Sequence, residues 1–140
     1  MKIGLTSCTK LKKDYKCKAK IMYEDSKYFN AGIKYLKNIN VDKIYVLSAK
    51  YGLISLDDEI EPYNIVLLNT NKKYRNAWNK KVLGQLNKET DLKNDIFISI
   101  AHKEYTKDIK KYITHFKEPT SRLKIGNKEY FFKQFNKKVK

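Results

Sequence analysis

The segment that decides the fold is Lys43-Ile44-Tyr45-Val46-Leu47-Ser48-Ala49-Lys50-Tyr51-Gly52-Leu53. Its apolar run, residues 44–47, is continuous, which is typical of a strand buried on both faces of a parallel sheet. The run stops abruptly at small and polar residues, a lysine and a Tyr-Gly turn, and Glu61-Pro62-Tyr63 follows shortly after. This pattern predicts a strand that ends in a binding site rather than in an ordinary connection.

Two other segments have a similar apolar character. Residues 2–6 predict a short first strand, with Ile3 and Leu5 as its apolar members, and residues 96–101 predict a third strand. Helices are expected between and after the strands, because apolar residues recur there every three or four positions. Asp25 or Ser26 is the expected N-cap of the first helix. The predicted apolar helix faces are Phe29, Ile33 and Leu36; Tyr74, Trp78, Val82 and Leu86; Tyr105, Ile109, Tyr112, Ile113 and Phe116; and Phe131, Phe135 and Val139.

Alternation of apolar strands with helices predicts an α/β fold with a parallel sheet. We expect one compact three-layer domain over residues 1–140, with a mainly parallel central sheet covered by helices on both faces. No internal repeat, Pro- or Ser-rich linker or change of composition divides the chain into two domains.

The charge of the chain points to an anionic partner. Lys and Arg number 31 against 15 Asp and Glu, and the formal net charge is +16. Such a field raises the affinity for polyanions, although an excess of Lys, Asn, Ile and Tyr is also typical of AT-rich genomes. We expect a nucleic acid, DNA before RNA, or a phosphorylated nucleotide as the partner.

Membrane and disulfide chemistry are not expected. No apolar run reaches the roughly 20 residues of a membrane span, and the first residues lack the apolar core of a signal peptide, so the sequence predicts a cytoplasmic protein. Two cysteines, Cys8 and Cys17, are too few for a disulfide scaffold. Their spacing does not fit a zinc knuckle, and we predict neither a metal nor a cofactor.

The first predicted strand ends in a cluster of groups suited to phosphate. In parallel α/β sheets, ligands bind at the carboxyl ends of the strands. Hydroxyls and backbone N–H groups hold phosphate oxygens there, and lysines add charge. The glycines of a Walker loop are absent. Cys8 is either a nucleophile or a small buried residue. The ligand-binding candidates at this strand end are Ser7, Cys8, Thr9, Lys10 and Lys12.

The second strand end adds Ser48, Lys50, Tyr51 and Gly52 as ligand-binding candidates. Gly52 is expected to adopt a positive φ or to allow a close backbone approach. Tyr51 either stacks on a base or packs beneath the loop.

Two catalytic candidates remain, and each has a structural alternative. Glu61 is either a general base or ribose ligand beside Pro62 and Tyr63, or an ion-pair partner on a basic surface. Tyr63 is a further ligand-binding candidate. His102, just past the third strand, either takes part in catalysis or caps a loop.

Together, these motifs resemble a family of small bacterial, archaeal and phage domains of unassigned function. Its members typically open with Ser-Cys-x-Lys-x-Lys and carry Leu-Ser-Ala-Lys-Tyr-Gly-Leu followed by Glu-Pro-Tyr. That family is similar to the YaaA-type peroxide-stress proteins, which are associated with DNA binding and protection from oxidative damage, and more faintly to uracil-DNA-glycosylase-like domains. The chain departs from the pattern at Ala101-His102-Lys103, where a glycine is expected. The matching residues are Ser7-Cys8-Thr9-Lys10-Leu11-Lys12, Tyr28-Phe29, Leu47-Ser48-Ala49-Lys50-Tyr51-Gly52-Leu53 and Glu61-Pro62-Tyr63.

Two functions of different class are compatible with these observations. The first is a nucleic-acid-associated enzyme that acts on a nucleobase or nucleotide, such as a glycosylase-like hydrolase that cleaves an N-glycosidic bond. The second is a non-catalytic basic module that binds DNA or RNA, with a role in DNA protection or stress response. The strand-end motifs favour the enzyme, and the net charge favours the binding module.

Overall fold

The computed structural model describes residues 1–139. Its strands are β1 (Lys2–Ser7), β2 (Cys17–Lys18), β3 (Lys43–Ser48), β4 (Gly52–Ser55), β5 (Glu59–Ile60), β6 (Ile96–Ser99) and β7 (His115–Lys117). Its α-helices are α1 (Ala19–Met22), α2 (Lys27–Asn38), α3 (Lys72–Glu89), α4 (Lys103–Thr106) and α5 (Ile125–Lys138). Single turns of 3-10 helix lie at Leu67–Asn69 and Lys110–Tyr112.

Five strands form the main sheet in the order β4-β3-β1-β6-β7. Strand β1 pairs in parallel with both β3 and β6, so that Leu5 lies opposite Tyr45 on one side and Ser99 on the other. Strand β7 continues the parallel pairing, and only β4 runs antiparallel, beside β3. The prediction of an α/β fold with a mainly parallel sheet is confirmed.

Helices α2 and α3 begin at side-chain caps. The Ser26 hydroxyl accepts a hydrogen bond of 3.1 Å from the Phe29 N–H at the start of α2. The Asn71 side-chain oxygen accepts one of 2.8 Å from the Tyr74 N–H at the start of α3. Such caps satisfy backbone donors that have no partner within the helix. Along α3, Trp78, Val82 and Leu86 are buried as predicted.

The helix predicted from Tyr105 to Phe116 is wrong. The segment contains the short helix α4, the 3-10 turn at Lys110–Tyr112 and strand β7. Tyr105, Ile109 and Ile113 are all buried in one cluster, so an irregular segment satisfies the same apolar spacing that a helix would. Because β7 pairs with β6, His115 lies on an edge strand rather than near the end of a helix.

Three further features differ from the sequence-based expectation. Strand β4 was not predicted, since its four residues follow directly on the Tyr-Gly turn and pair back on β3. A small two-stranded sheet of β2 and β5 was not predicted either. Val139 is the C-cap of α5 and is 39% exposed, so it does not continue the buried face of that helix.

Buried apolar residues form three clusters around the sheet. The cluster that contains Trp78 and Val82 of α3 also takes Leu47 of β3. Val46, the neighbour of Leu47, belongs instead to the cluster with Phe29 of α2. Adjacent strand residues point to opposite faces of a sheet, so the strands contribute to different clusters. None of the helices described in residues 1–139 combines the length and apolar character that a membrane span requires.

Candidate ligand-binding site

A pocket of about 450 Å³ opens where β1 and β6 end, and we call it the strand-end pocket. Six of the predicted site residues line it, namely Ser7, Cys8, Thr9, Lys10, Lys12 and His102. The rest of its wall includes apolar and aromatic side chains and one carboxylate, from Tyr28, Ile65, Val66, Leu68, Glu104 and Tyr105. The ends of two neighbouring parallel strands therefore meet at one site, as the topology predicts.

Backbone hydrogen bonds hold the two strand ends together. The Cys8 N–H donates to the Leu47 carbonyl at 3.0 Å, which extends the pairing of β1 with β3 by one residue. The His102 N–H donates to the Ser7 hydroxyl at 3.1 Å. Ser7 thereby connects the end of β1 to the residue that opens α4.

The loop after β1 folds back on itself and turns a lysine inward. The Thr9 hydroxyl donates to the Leu11 carbonyl at 3.0 Å, and the Lys12 Nζ donates to the Thr9 carbonyl at 2.6 Å. The Lys12 Nζ also lies 4.6 Å from the ring centroid of Tyr63. Burial lowers the pKa of Lys12 from its ordinary value. Lys10, by contrast, is exposed at the mouth of the pocket.

Cys8 lies against a buried tyrosine. Its sulfur is 3.4 Å from the hydroxyl oxygen of Tyr105. Burial raises the pKa of Tyr105, so its hydroxyl stays protonated at neutral pH and is able to donate to the sulfur. Cys8 and Cys17 are both free thiols.

A chain of hydroxyls lies behind the pocket. The Ser48 hydroxyl donates to the Tyr63 hydroxyl at 2.8 Å, and the hydroxyls of Tyr63 and Tyr23 are 2.6 Å apart. Burial raises the pKa of both tyrosines. Tyr63 and Ser48 are thus structural neighbours of the pocket, and neither belongs to its lining.

Tyr51 and Glu61 form a second unit outside the lining. The Glu61 N–H donates to the Tyr51 hydroxyl at 3.0 Å. The Tyr51 ring meets the Tyr63 ring edge-on, with centroids 5.8 Å apart, and the Lys50 Nζ lies 5.2 Å from the Tyr51 centroid. Tyr51 therefore packs with the loop, while the Glu61 side chain is exposed. Stacking by Tyr51 and catalysis by Glu61 stay predictions.

Gly52 is required by the turn between β3 and β4. Its φ is +78°, and a Cβ at this position would lie 2.5 Å from the side-chain oxygen of Gln85. That oxygen accepts a hydrogen bond of 2.8 Å from the Leu53 N–H. Of the two alternatives predicted for this glycine, the positive φ is the one that the structure shows, and the close neighbour is a side chain rather than a backbone.

His102 and Glu104 face the pocket from the start of α4. The His102 Nδ1 accepts a hydrogen bond of 3.4 Å from the Glu104 N–H. Burial, and after it the charges of Lys128 and Lys103, lower the pKa of His102, against the opposing effect of Glu104. A neutral imidazole whose Nδ1 accepts carries its proton on Nε2. The Glu104 carboxylate is partly buried and lies 3.1 Å from the Lys107 Nζ.

Sequence reasoning missed the apolar side of this pocket. Residues 65–68 form an apolar run, and Val66 and Leu68 are 44% and 58% exposed. Such exposure is unusual for an apolar run. The sequence does not predict it, because it depends on how the loop packs in the tertiary structure. Tyr28 was noted only as part of a motif, and burial raises its pKa to about 12. Glu104 gave no signal, because a single carboxylate beside lysines is common in this chain.

The model of a family of unknown function, DUF6884, matches residues 3–134 of the chain. No curated protein and no solved structure matches it. Within residues 1–139, no three His, Cys, Asp or Glu side chains are grouped so that they would hold a metal ion.

Proposed function

The chain belongs to the family of unknown function DUF6884, and we propose that it is an enzyme that acts on a nucleobase or nucleotide by cleaving the N-glycosidic bond. The observation that carries this proposal is the lining of the strand-end pocket, which combines two groups of residues. We call the apolar and aromatic residues the apolar side, and the hydroxyls and lysines the cationic side. A nucleotide has the same two chemical characters, since a flat base is joined to an anionic sugar phosphate.

The apolar side suits a base. Tyr28, Ile65, Val66 and Leu68 line it, and the exposure of Val66 and Leu68 leaves apolar surface at the rim that a ligand would cover. Large apolar side chains on a protein surface mark binding sites when they lie together. An aromatic ring beside them provides a stacking partner that accepts any base.

The cationic side suits a phosphate. Ser7 and Thr9 contribute hydroxyls, and Lys10 and Lys12 contribute ammonium groups, to the lining of the pocket. Charge-assisted hydrogen bonds of this kind are the strong contacts in phosphate recognition. The pocket volume of about 450 Å³ lies within the ordinary range for small-molecule sites.

Glu104 and His102 are the groups that we assign to the chemistry. In the proposed hydrolysis, a water oxygen bonds to the anomeric carbon of the sugar while the bond from that carbon to the base nitrogen breaks. The electron pair of the broken bond leaves with the base. The Glu104 carboxylate accepts the proton of the water, and the His102 Nε2–H donates a hydrogen bond to the departing base.

Glu61 is the rival carboxylate. It follows β5 on the exposed side of the Tyr51–Tyr63 pair, whereas Glu104 lines the pocket itself. The lining favours Glu104 as the residue that activates water.

Three further expectations are part of the same proposal. We infer that helices cover both faces of the sheet in a three-layer domain, because neighbouring residues of β3 join different clusters. A cytoplasmic location and a distant similarity to YaaA-type proteins and uracil-DNA-glycosylase-like domains rest on the sequence motifs alone.

Nucleotide binding and base release together test the function. The protein is incubated with each common nucleoside 5′-monophosphate, free base is measured by liquid chromatography, and backbone amide signals are followed by NMR. We expect release of one base and signal shifts centred on Ser7, Cys8 and Thr9. Absence of both base release and shifts at these residues would refute the proposal.

The second candidate is a non-catalytic basic module that binds DNA or RNA, with a role in DNA protection or stress response. The exposed lysines of α3, Lys72, Lys73, Lys80 and Lys81, favour it. Its affinity for nucleic acid is expected to fall steeply with salt, since phosphate contacts release counterions. A flat salt response would exclude this candidate.

A further inference from the structure

A basic groove of about 530 Å³ runs between α3 and the segment that follows α4, and we call it the α3 groove. Its cations come from both sides, Lys72, Arg75 and Lys80 from α3 and Lys107 and Lys111 from the facing segment. Asp108 is a carboxylate in its lining, and it accepts a hydrogen bond of 3.2 Å from the Asn79 side chain. Tyr112 is an aromatic residue in the lining of the groove.

We propose that the α3 groove binds a single strand of nucleic acid, with backbone phosphates along its lysines and one unpaired base on the ring of Tyr112. The proposal does not depend on any reaction in the strand-end pocket. It deepens the second candidate function, which rests on the lysines of α3, by assigning a single strand as the partner and Tyr112 as the residue that holds a base.

Three of the five cations of the groove, Lys72, Lys80 and Lys111, are available to phosphates. In the part of the chain that the structure describes, no carboxylate lies within 4.0 Å of the ammonium groups of Lys72, Lys80 or Lys111, whereas Lys107 pairs with Glu104 at 3.1 Å. Positive groups along a groove track a phosphate backbone without reading its sequence. The net charge of +16 adds a long-range attraction for the same ligand.

Tyr112 makes the groove suited to a single strand rather than a duplex. Its side chain is 56% exposed, although large aromatic residues are usually buried. The Lys111 Nζ lies 5.4 Å from the ring centroid, so a cation and a π face lie side by side. Within a duplex the faces of a base are covered by the neighbouring base pairs, whereas a base of a single strand has a face free to stack on such a ring.

The groove also borders the strand-end pocket. Glu104 and Tyr105 line the pocket, while Lys107 and Asp108, one helical turn later, line the groove. The Lys107 Nζ of the groove lies 3.1 Å from the Glu104 carboxylate of the pocket, so the two linings adjoin.

A second basic groove, between α2 and α5, supplies matched controls. It has a volume of about 1000 Å³ and contains lysines and a 65% exposed tyrosine, including Lys34, Lys137 and Tyr130. Removing two lysines or one tyrosine there changes the net charge and the exposed aromatic content by the same amount.

Fluorescence anisotropy with a labelled oligothymidylate of about 20 nucleotides, and with a duplex of equal length, tests the proposal. Tyr112→Ala should weaken binding of the single strand by at least about five-fold, because a base–aromatic stack is lost. Lys72→Ala/Lys80→Ala should reduce the slope of log K against log salt by about 1.4, since each phosphate contact in a single strand contributes about 0.7.

The control variants decide between a specific groove and general charge. Tyr130→Ala and Lys34→Ala/Lys137→Ala should leave the affinity within about two-fold and the salt slope unchanged. Equal effects in the two grooves would overturn the proposal, and so would a duplex that binds as tightly as the single strand with no effect of Tyr112→Ala. These outcomes are read from binding alone, so they are independent of base release.

Discussion

The hydroxyl of Ser48 donates a hydrogen bond of 2.8 Å to the hydroxyl of Tyr63. Ser48 ends β3, and Tyr63 ends the Glu-Pro-Tyr motif that follows β5. The Ser48 oxygen also accepts from the Tyr51 N–H at 3.0 Å, which ties the Tyr-Gly turn to the same point. The two motifs that are most recognisable in the sequence therefore form one hydrogen-bonded unit. This unit adjoins the strand-end pocket through Tyr63, whose ring centroid lies 4.6 Å from the Nζ of Lys12.

Replacement of Tyr63 by Phe tests this unit. The variant leaves the buried hydroxyls of Ser48 and Tyr23 without their partner. We expect the free energy of unfolding to fall by about 1–3 kcal/mol, the usual cost of a buried polar group that loses its hydrogen bond. Urea unfolding measures it. Tyr112→Phe, which removes an exposed hydroxyl, should change stability by no more than about 0.5 kcal/mol. Equal stability of the two variants would contradict the assigned role of Tyr63.

Replacement of Gly52 by Ala tests the turn between β3 and β4. The added Cβ meets a positive φ and the Gln85 oxygen at 2.5 Å. We expect a loss of about 1–3 kcal/mol, because both the backbone and the side-chain contact are strained. Gly84 on α3 is the matched control, since it has open space around it. Gly84→Ala should stabilise the helix by up to about 1 kcal/mol. Thermal or urea unfolding of both variants measures these changes in stability. A Gly52→Ala variant as stable as the unmodified protein would be incompatible with this geometry.

A pair of carboxylate variants tests the proposed chemistry. If Glu104 activates water, Glu104→Gln should lower kcat for base release by about 10²-fold or more, whereas Glu61→Gln should leave kcat nearly unchanged. The substrate is the nucleotide identified by base release, and its Kd is measured on both variants by NMR titration. The reverse pattern, with Glu61→Gln inactive, would restore the assignment favoured by the sequence motif alone.

The titration of His102 depends on its surroundings. Burial is the main cause of its lowered pKa, and Lys128 is the charge that lowers it most. Lys128→Met should therefore raise the pKa of His102 towards its ordinary value of about 6.5. Lys103→Met should raise it less. NMR titration of the imidazole measures the shift, with His115→Gln used to assign the two histidine signals. If the pKa of His102 stays the same in Lys128→Met, the charge of Lys128 is not a cause of its lowered value.

The sign of the linked stability change follows from the same shift. At pH values just below about 6.5, His102 is protonated in the unfolded chain but still neutral in the folded chain. The unfolded state therefore binds more protons in this pH range. Stability is therefore lost as the pH falls from about 6.5 towards the folded pKa. Lys128→Met should narrow the pH range over which this stability is lost. The midpoints of urea unfolding of the variant and the unmodified protein, measured across the same pH range, give the comparison.

Much of the sheet was predictable from local pattern. Residues 44–47 and 96–98 are apolar without interruption because they lie inside a parallel sheet, and burial on both faces leaves no polar position. The caps at Ser26 and Asn71 are likewise local, since the oxygen and the N–H that it serves are three residues apart. Residues 105–116 misled the same reasoning, because Tyr105, Ile109 and Ile113 reach one cluster from elements of different kinds.

The sequence alone determined that Ser7 and His102 lie at the ends of apolar strands and that the chain is strongly basic. It also determined that Gly52 lies in a turn that favours glycine. Those properties depend on neighbours along the chain and on composition. Only the tertiary structure decided that Glu104, Tyr28, Ile65, Val66 and Leu68 share a pocket with Ser7. It also decided that Glu61 and Tyr51 lie outside that lining. The reason is physical: a pocket wall is assembled by strand pairing and helix packing between residues distant in sequence, and such contacts leave no period or spacing to read.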